Sequence, residues 1–204
     1  MKQILENIWT WSVFSEEKGY NFNSLLISDG NKRVLIDPVK TTEEDFSFIK
    51  SKAPFEAIYL TNKDHFRDTY NLKTKLSIPT WIHKEDKQYL ENDVDYTFSS
   101  GDKLACGIEV VHLSDQKSPG ECAFYIPSKK VLILGDALIG YPAGSLKLLP
   151  DSKYKDINKT KEELFKLQSL SFNILLLGDG EAILEDAQEK VIQFLQNNLP
   201  IAFK

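Results

Sequence analysis

The sequence predicts a mixed α/β fold organised around three buried strands that each run into a carboxylate. Residues 58–60, Val131–Leu134 and Ile174–Leu177 are apolar without alternation, which is typical of strands covered on both faces. A polar segment containing an aspartate follows each strand, and ligand and catalytic groups gather at such strand ends. This repeated strand-then-aspartate pattern is what a duplicated sandwich of two sheets would show.

The first part of the chain predicts a hairpin followed by alternating helices and strands. Residues 22–27 and 34–36 are strand candidates separated by Ser28-Asp29-Gly30-Asn31, a sequence that favours a tight turn. Thr41 and Glu44 have the spacing of a capping box, which predicts a helix that carries Phe46 and Ile49 on one face. The elements predicted after it are the strand at 58–60, a helix at 68–72, a strand at 78–82 and a helix at 84–90.

The middle of the chain predicts short strands, and the last third returns to helix. The strands predicted in the middle are Tyr96–Phe98, 108–113, 123–126 and Val131–Leu134, with a hairpin loop at 127–130. The C-terminal third predicts a helix carrying Ile157, Leu164, Leu167 and Leu170, then the strand Ile174–Leu177, then a helix that buries Ala187, Val191 and either Phe194 or Leu195. Residues before 22 carry no predicted element, and Trp9 and Trp11 are assigned to the core or its rim.

Length, charge and cysteine content indicate a single domain that binds a small molecule. The 204 residues are 42% hydrophobic, which is enough for a substantial core, so we predict one domain over residues 1–204. The net charge of -5 and the absence of a basic run argue against nucleic acid or an anionic membrane surface as partner. Cys106 and Cys122 are too few for a disulfide framework, and no signal-peptide or membrane-spanning run is present, so we predict a cytoplasmic protein. None of these features sets the oligomeric state.

Four segments in sequence order resemble the loops of a known family. The segments are 61–68, read as Thr-Asn-Lys-Asp-His-Phe-Arg-Asp, then Lys117-Ser118-Pro119-Gly120, Gly135-Asp136 and Gly178-Asp179-Gly180. Their order and spacing are similar to the metallo-β-lactamase superfamily, whose loops read Thr-His-x-His-x-Asp-His, His-Ser/Thr-Pro-Gly, Gly-Asp and Gly-His-Gly. The resemblance implies a four-layer αββα sandwich, in which two mixed sheets pack face to face with helices outside. It also implies one or two metals bound between the sheets.

The positions that hold metal ligands in that family are mostly changed here. Asn62, Asp64 and Arg67 stand at the histidines of the first loop, Phe66 at its aspartate, Lys117 and Asp179 at the two later histidines, and Asp136 keeps the family's residue type. A register shifted by two residues would place Asp64 and His65 on the family's Asp-His pair. Because that shift misaligns Thr61, we adopt the first register.

The predicted site combines acidic and basic side chains from these loops. The predicted catalytic residues are Asp64, His65, Lys117, Asp136 and Asp179, and the predicted substrate-pocket residues are Asn62, Arg67, Asp68 and Tyr141. His65 is a candidate acid or base, although the alternatives are an exposed loop residue or a hydrogen-bonding partner for Asp68. His83 and His112 are assigned to a strand–helix junction and to a strand, outside this site.

The ligand types argue against zinc. Carboxylates and a side-chain amide suit Mg²⁺, Mn²⁺ or Ca²⁺ better than zinc, which favours imidazole and thiolate. We therefore predict either no metal or one hard divalent ion, held by Asp64, Asp136 and Asp179. The ammonium of Lys117 and the guanidinium of Arg67 are predicted to take the place of metal ions, because three clustered carboxylates need counter-charges.

Two functions of different classes remain open. The resemblance implies a divergent hydrolase that acts on a small molecule through a carboxylate and lysine site. The alternative is an inactive binding or regulatory protein on the same scaffold, in which these polar residues only join the sheet edges. The charged groups that persist at the family's reaction site favour the enzyme.

Overall fold

Two β-sheets form the centre of the molecule in the computed structural model, which describes residues 1–90 and 94–198. Within those residues the first sheet has seven strands, arranged in sequence order. They are β1 (Lys2–Leu5), β2 (Ile8–Ser15), β3 (Tyr20–Asp29), β4 (Lys32–Ile36), β5 (Ala57–Tyr59), β6 (Thr80–His83) and β7 (Tyr96–Phe98). The strands β1 to β4 pair antiparallel, whereas β4 to β7 pair parallel.

The second sheet has four strands in the described part of the chain, in the order β11-β10-β9-β8. They are β8 (Glu109–His112), β9 (Cys122–Ile126), β10 (Val131–Leu134) and β11 (Ile174–Leu177). The pair β10 and β11 is parallel and the other two pairs are antiparallel. Both sheets are therefore mixed.

Apolar side chains pack in three layers that set the order of the sheets and helices. Between the sheets, Ile27 and Val34 of the first sheet share one core with Phe124 and Ile133 of the second. The helices α1 (Glu43–Ser51) and α2 (Thr69–Leu76) cover the outer face of the first sheet, and α3 (Ile157–Leu164) and α4 (Ala187–Asn198) cover the second. The four-layer αββα sandwich is confirmed. Among the described residues, none of the helices combines the length and apolarity needed to cross a bilayer.

Two local predictions were wrong, and two strands were missed. The first helix is capped by Thr42 rather than Thr41, because the Thr42 side chain accepts from the Asp45 backbone N–H. Residues 84–90 form turns and one short 3₁₀ turn, Lys87–Tyr89, instead of a helix. The strands β1 and β2 had no predicted counterpart, although each pairs with its neighbour in sequence, because their mixed burial gives neither a continuous apolar run nor a clean alternation.

The strand ends bring the polar loops together. The parallel strands β4 and β5 end at Ile36 and Tyr59, and the parallel strands β10 and β11 end at Leu134 and Leu177. Parallel strands end at the same edge of a sheet, so the residues that follow them meet. Asn23 of β3 joins the two sheets there, because its side-chain amide donates to the carbonyl oxygens of Leu177 and Gly180.

Candidate active site at the sheet edges

Lys117 lies between two of the predicted site aspartates. Its ammonium nitrogen is 2.6 Å from Asp136 Oδ2 and 3.0 Å from Asp64 Oδ2. The Asp136 carboxylate is buried, whereas the Lys117 side chain is 29% exposed and the Asp64 side chain 36% exposed. Lys63 adds a second cation, 3.1 Å from Asp64 Oδ1. This chain of ion pairs is buried at Asp136 and faces solvent at Asp64.

Arg67 pairs with the third predicted aspartate. Its Nη2 atom is 2.6 Å from Asp179 Oδ1 and 2.9 Å from His65 Nε2. The guanidinium also lies over the Phe22 ring, 4.7 Å from the ring centroid. These contacts hold Arg67 beside the buried Asp179 carboxylate, although the Arg67 backbone has a positive φ of 36°.

His65 is fully surrounded by acids and the arginine. Its Nδ1 atom is 2.8 Å from Asp37 Oδ2, and its Nε2 atom is 3.4 Å from Asp136 Oδ1 and 3.9 Å from Asp179 Oδ1. Gly178 permits this placement, because a Cβ there would lie 2.6 Å from His65 Cε1. The alternatives of an exposed loop residue and of a partner for Asp68 are wrong, since only 1% of His65 is accessible and its Nδ1 atom faces Asp37 instead.

Asp37 is a site residue that the sequence reasoning missed. The buried Asp37 carboxylate accepts from the Thr61 backbone N–H at 2.8 Å and from its hydroxyl at 2.6 Å, and it faces His65 Nδ1. It follows the apolar residues of β4, and it was interpreted only as the end of the hairpin. The strand-then-aspartate pattern that singled out Asp136 and Asp179 was therefore also present here.

Glu121 and Asp86 were missed for a different reason. Glu121 Oε1 accepts from the Asp136 backbone N–H at 3.0 Å, and Asp86 accepts from the backbone N–H groups of Lys63 and Gly120, both at 2.8 Å. Neither acid directly follows a strand, since Glu121 precedes β9 and Asp86 lies three residues after the end of β6, so the strand-then-aspartate pattern did not identify them. Burial, followed by the charge of Asp136, raises the pKa of Glu121 well above its ordinary value.

The ion pairs shift the pKa values of Asp136 and Lys117 further from neutral pH. Burial alone would raise the pKa of Asp136, but hydrogen bonds and charge from His65 and Lys117 hold it well below its usual range. Burial opposes the charge on Lys117, yet Asp136 and Asp64 raise its pKa above the ordinary value. For Asp179 burial is the largest effect, and its pKa is raised in spite of Arg67 and His65.

The protonation of His65 follows from the same balance. Burial and the Arg67 charge lower the pKa of His65, but Asp37 and Asp136 outweigh them and raise it to about 10. An unprotonated Nε2 would accept from Arg67, whereas a protonated one donates toward Asp136. The raised pKa favours the imidazolium at neutral pH, with Nδ1 donating to Asp37 and Nε2 toward Asp136. In that state the 2.9 Å contact between Nε2 and Arg67 joins two donors and is not a hydrogen bond, so Asp179 and the Phe22 ring hold the guanidinium.

Of the predicted pocket residues, Asn62 contacts the backbone of the cluster and Asp68 does not. Asn62 is buried below it, where its side-chain oxygen accepts from the backbone N–H groups of Asp64 and His65 and begins the turn that carries them. Asp68 lies just ahead of α2, and its carboxylate accepts from Asn71 Nδ2 at 3.1 Å rather than from a cluster residue. In the described structure, Asn62 thus has a positioning contact, while Asp68 makes none with the cluster.

Tyr141 lies at an aromatic rim above the site. Its ring is 5.6 Å from the Tyr20 ring, and Lys147 Nζ lies over both rings, 4.4 Å from the Tyr141 centroid and 5.0 Å from that of Tyr20. Burial and then the charges of Asp179 and Asp136 raise the pKa of Tyr20 to about 12, which links this rim to the acids below. Tyr20 and Lys147 also line a cavity of about 400 Å³ with Lys18 and Lys153.

Comparison with known proteins identifies the family. The two face-to-face sheets with polar loops at their edge define an αββα sandwich. A family model described as the metallo-β-lactamase superfamily matches residues 1–199, so the chain belongs to that superfamily. A search of curated proteins gave no match.

Solved structures share the fold at low identity. A metallo-β-lactamase from Pontibacter korlensis is 18% identical with a TM-score of 0.76, and the match covers 97% of this chain and 98% of that one. For the DIM-1 metallo-β-lactamase the values are 16% identity and a TM-score of 0.74, with 96% of each chain covered. The BLEG-1 B3 metallo-β-lactamase is 20% identical, with a TM-score of 0.70 and coverage of 96% and 100%.

The residues present do not fit a pair of zinc ions. His65, Asp136 and Asp179 each offer a ligand atom, and these atoms lie within 4.8 Å of one another, but Asp64 is not part of this group. Lys117 and Arg67 already occupy the carboxylates at 2.6 Å. A dication about 4 Å from either positive group is repelled by roughly 8 kcal/mol at an effective dielectric of about 20. Even a single ion would require both basic side chains to move away.

Proposed function

We propose that this protein is a divergent hydrolase of the superfamily that acts on a small anionic molecule without zinc. The observation that carries the proposal is Lys117, which holds two aspartates and remains partly open to solvent. A bound metal would polarise a substrate oxygen and activate water. Here the fixed positive charges of Lys117 and Arg67 take over the electrostatic part of that role.

The roles follow from exposure and contacts. Lys117 is accessible, so its ammonium stabilises negative charge that develops on a substrate oxygen. Asp64 is the most exposed of the three acids, so it orients or deprotonates the attacking water. His65, Asp136 and Asp179 are buried and act by positioning Lys117 and Arg67. Should a hard divalent ion bind, Asp64, Asp136 and Asp179 remain the proposed ligands.

A basic cavity supports an anionic substrate, and its link to the cluster is Tyr20, which lines it and whose pKa responds to the charges of Asp179 and Asp136. Lys18, Lys147 and Lys153 line it against a single acid, Glu17, and Lys18 already pairs with that acid at 2.6 Å. Leu148, Leu149 and Ile139 provide its apolar lining. This combination suits a small molecule with a carboxylate or phosphate and an apolar body. Tyr20 lines this cavity, and its ring contacts that of Tyr141 with the centroids 5.6 Å apart.

A binding protein without catalysis is the second candidate, and the pKa values favour it. An acid or base works best when its pKa is near the working pH. The pKa of Asp136 is lowered, that of Lys117 is raised and that of His65 is about 10, so all three resist proton transfer at neutral pH. Such closed ion pairs suit electrostatic recognition of an anion.

Hydrolysis of p-nitrophenyl acetate and p-nitrophenyl phosphate by chelator-treated protein separates the two candidates. The hydrolase proposal predicts turnover that survives the chelator and falls at least about tenfold in Lys117→Ala and Asp64→Asn, since each removes one electrostatic or acid–base contribution. Lys103→Ala is the matched control, because Lys103 is 80% exposed and pairs only with Glu109 in the described structure. Absence of turnover, with saturable inorganic phosphate binding that needs Lys147, supports the binding protein instead.

The broader proposals concern organisation and location. We keep residues 1–204 as one domain, since the family model matches 1–199. Cys106 and Cys122 are unpaired and buried, which supports the proposed cytoplasmic location. We propose no nucleic-acid or membrane partner, because the net charge is -5 and the sequence contains no extended run of basic residues.

A further inference from the structure

Two histidines outside the site described above stack on each other at the ends of strands from different sheets. His83 is the last residue of β6 and His112 is the last residue of β8. Their ring centroids are 4.1 Å apart and the ring planes differ by 16°. Glu85 lies two residues beyond His83, and one ligand atom from each of the three side chains falls within 4.8 Å of the others.

The hydrogen bonds leave ring nitrogens available as ligands. His112 Nε2 is 2.8 Å from the Pro119 carbonyl oxygen, which can only accept, so Nε2 carries the proton and Nδ1 keeps its lone pair. Metal-binding histidines typically donate their other ring N–H to a carbonyl or carboxylate in this way. His83 Nδ1 faces the Glu85 backbone N–H at 3.4 Å, a long contact that gives way easily.

Burial and charge also suit a metal site. His83 is buried, the His112 side chain is 16% exposed and the Glu85 side chain 48% exposed, so the cluster opens to solvent on one side. Among the described residues, no lysine or arginine forms an ion pair with Glu85, whose Oε2 atom lies 3.9 Å from His112 Nε2, the nitrogen that donates to Pro119. The charge of Lys84 acts on His83, but Lys84 makes no ion pair with Glu85, whereas Lys117 and Arg67 contact the carboxylates of the first cluster directly.

We propose that His83, Glu85 and His112 bind one divalent transition-metal ion of the zinc class. Two imidazoles and one carboxylate, with water as the fourth ligand, form a common zinc-ligand set. A metal lies in the plane of each imidazole that binds it, so the stacked rings turn apart when the ion enters. The ion would connect the end of β6 to the start of the loop that carries Lys117. Asp86 already connects the two segments, because its carboxylate accepts from the Gly120 backbone N–H in that loop.

Titration of metal-free protein with Co²⁺, followed by visible absorption and calorimetry, tests the proposal. The wild type should bind one equivalent with the absorption of a four-coordinate ion. His112→Ala should weaken binding by more than about 100-fold, because even loss of an outer-shell partner costs about 10- to 100-fold. Glu85→Gln should weaken it by at least about tenfold.

Asp179→Asn is the control for the other cluster, and it should leave the first equivalent unchanged. Circular dichroism shows whether each variant is folded, and Glu85→Gln removes an exposed carboxylate, so its folding is not at risk. Lack of saturable Co²⁺ binding by the wild type would overturn the proposal. Binding that survives in His112→Ala and disappears in Asp179→Asn would overturn it as well.

Discussion

The two histidine-containing clusters of this molecule differ in what supplies positive charge. In the first, Lys117 and Arg67 lie 2.6 Å from the carboxylates of Asp136 and Asp179. In the second, His83 and His112 stand beside Glu85, and the described residues contribute no ion pair from a lysine or arginine. Ligand-type residues alone therefore do not define a metal site, because neighbouring cations decide whether a dication can enter.

Removing Lys117 should have the largest effect on stability of the changes considered, because it alters the cluster that Lys117 neutralises. Lys117→Ala leaves the buried Asp136 carboxylate without its closest counter-charge, so we expect a loss of about 3 kcal/mol in the free energy of unfolding, the lower end for a broken buried pair because Lys117 is partly exposed. Urea denaturation measures the loss. Mn²⁺ should restore part of it in this variant alone. An Lys117→Ala protein as stable as Lys103→Ala would contradict the account.

Removing Arg67 should have a somewhat smaller effect. Arg67→Ala loses the pair with Asp179 and the stacking on Phe22, and we expect about 2 kcal/mol of destabilisation, since Arg67 is also partly accessible. Arg67→Lys keeps the charge but not the planar group, so it should recover only part of the loss. Complete recovery would show that the planar contact with Phe22 contributes nothing.

The two clusters should lose stability at opposite ends of the pH range, because the pKa of His65 is raised and that of His83 is lowered. The pKa of His65 is raised to about 10, so its contribution is fully present below pH 6.5 and is lost as the pH rises toward 10. Burial, then His112, lower the pKa of His83 to about 4, so stability is lost there as the pH falls from 6.5 toward 4. Denaturation across pH 4 to 10 should show the alkaline loss reduced in His65→Gln and the acidic loss reduced in His83→Gln. An acidic effect in His65→Gln together with an alkaline effect in His83→Gln would refute the assignment of a charged His65 and a neutral His83.

Glu85→Gln should produce the smallest change. Without metal, the free energy of unfolding should stay within about 0.5 kcal/mol of the wild type, because the Glu85 side chain is 48% exposed. With Zn²⁺ present, thermal melting should show stabilisation of the wild type that the variant lacks. Equal stabilisation of both proteins would place the zinc elsewhere.

Much of the fold and part of the site could be predicted from the sequence. Apolar runs such as Val131–Leu134 and their following aspartates identified the strand ends, because a strand buried on both faces leaves a clear local pattern. The strands β1 and β2 could not be predicted in this way, because neither is buried on both faces; β1 pairs with β2, and β2 pairs with β3. Glu121 was missed because its contact with Asp136 joins positions that no local pattern connects.

The ion pairs of the site could be predicted from the sequence only in part. Charge counting predicted that Lys117 would neutralise the aspartates, and the structure brings Lys117, Asp64 and Asp136 into contact. It did not predict that His65 turns inward to Asp37, which depends on the close approach that Gly178 allows. The catalytic roles of these residues stay a prediction.

Anomalous X-ray scattering at the zinc absorption edge tests the central claim most directly. Crystals of the unmodified protein grown with Zn²⁺ should show no peak between His65, Asp136 and Asp179, because Lys117 and Arg67 hold those carboxylates. The same map should show one peak between His83, Glu85 and His112. A fully occupied zinc peak at the first cluster, with Lys117 and Arg67 displaced from it, would contradict the account.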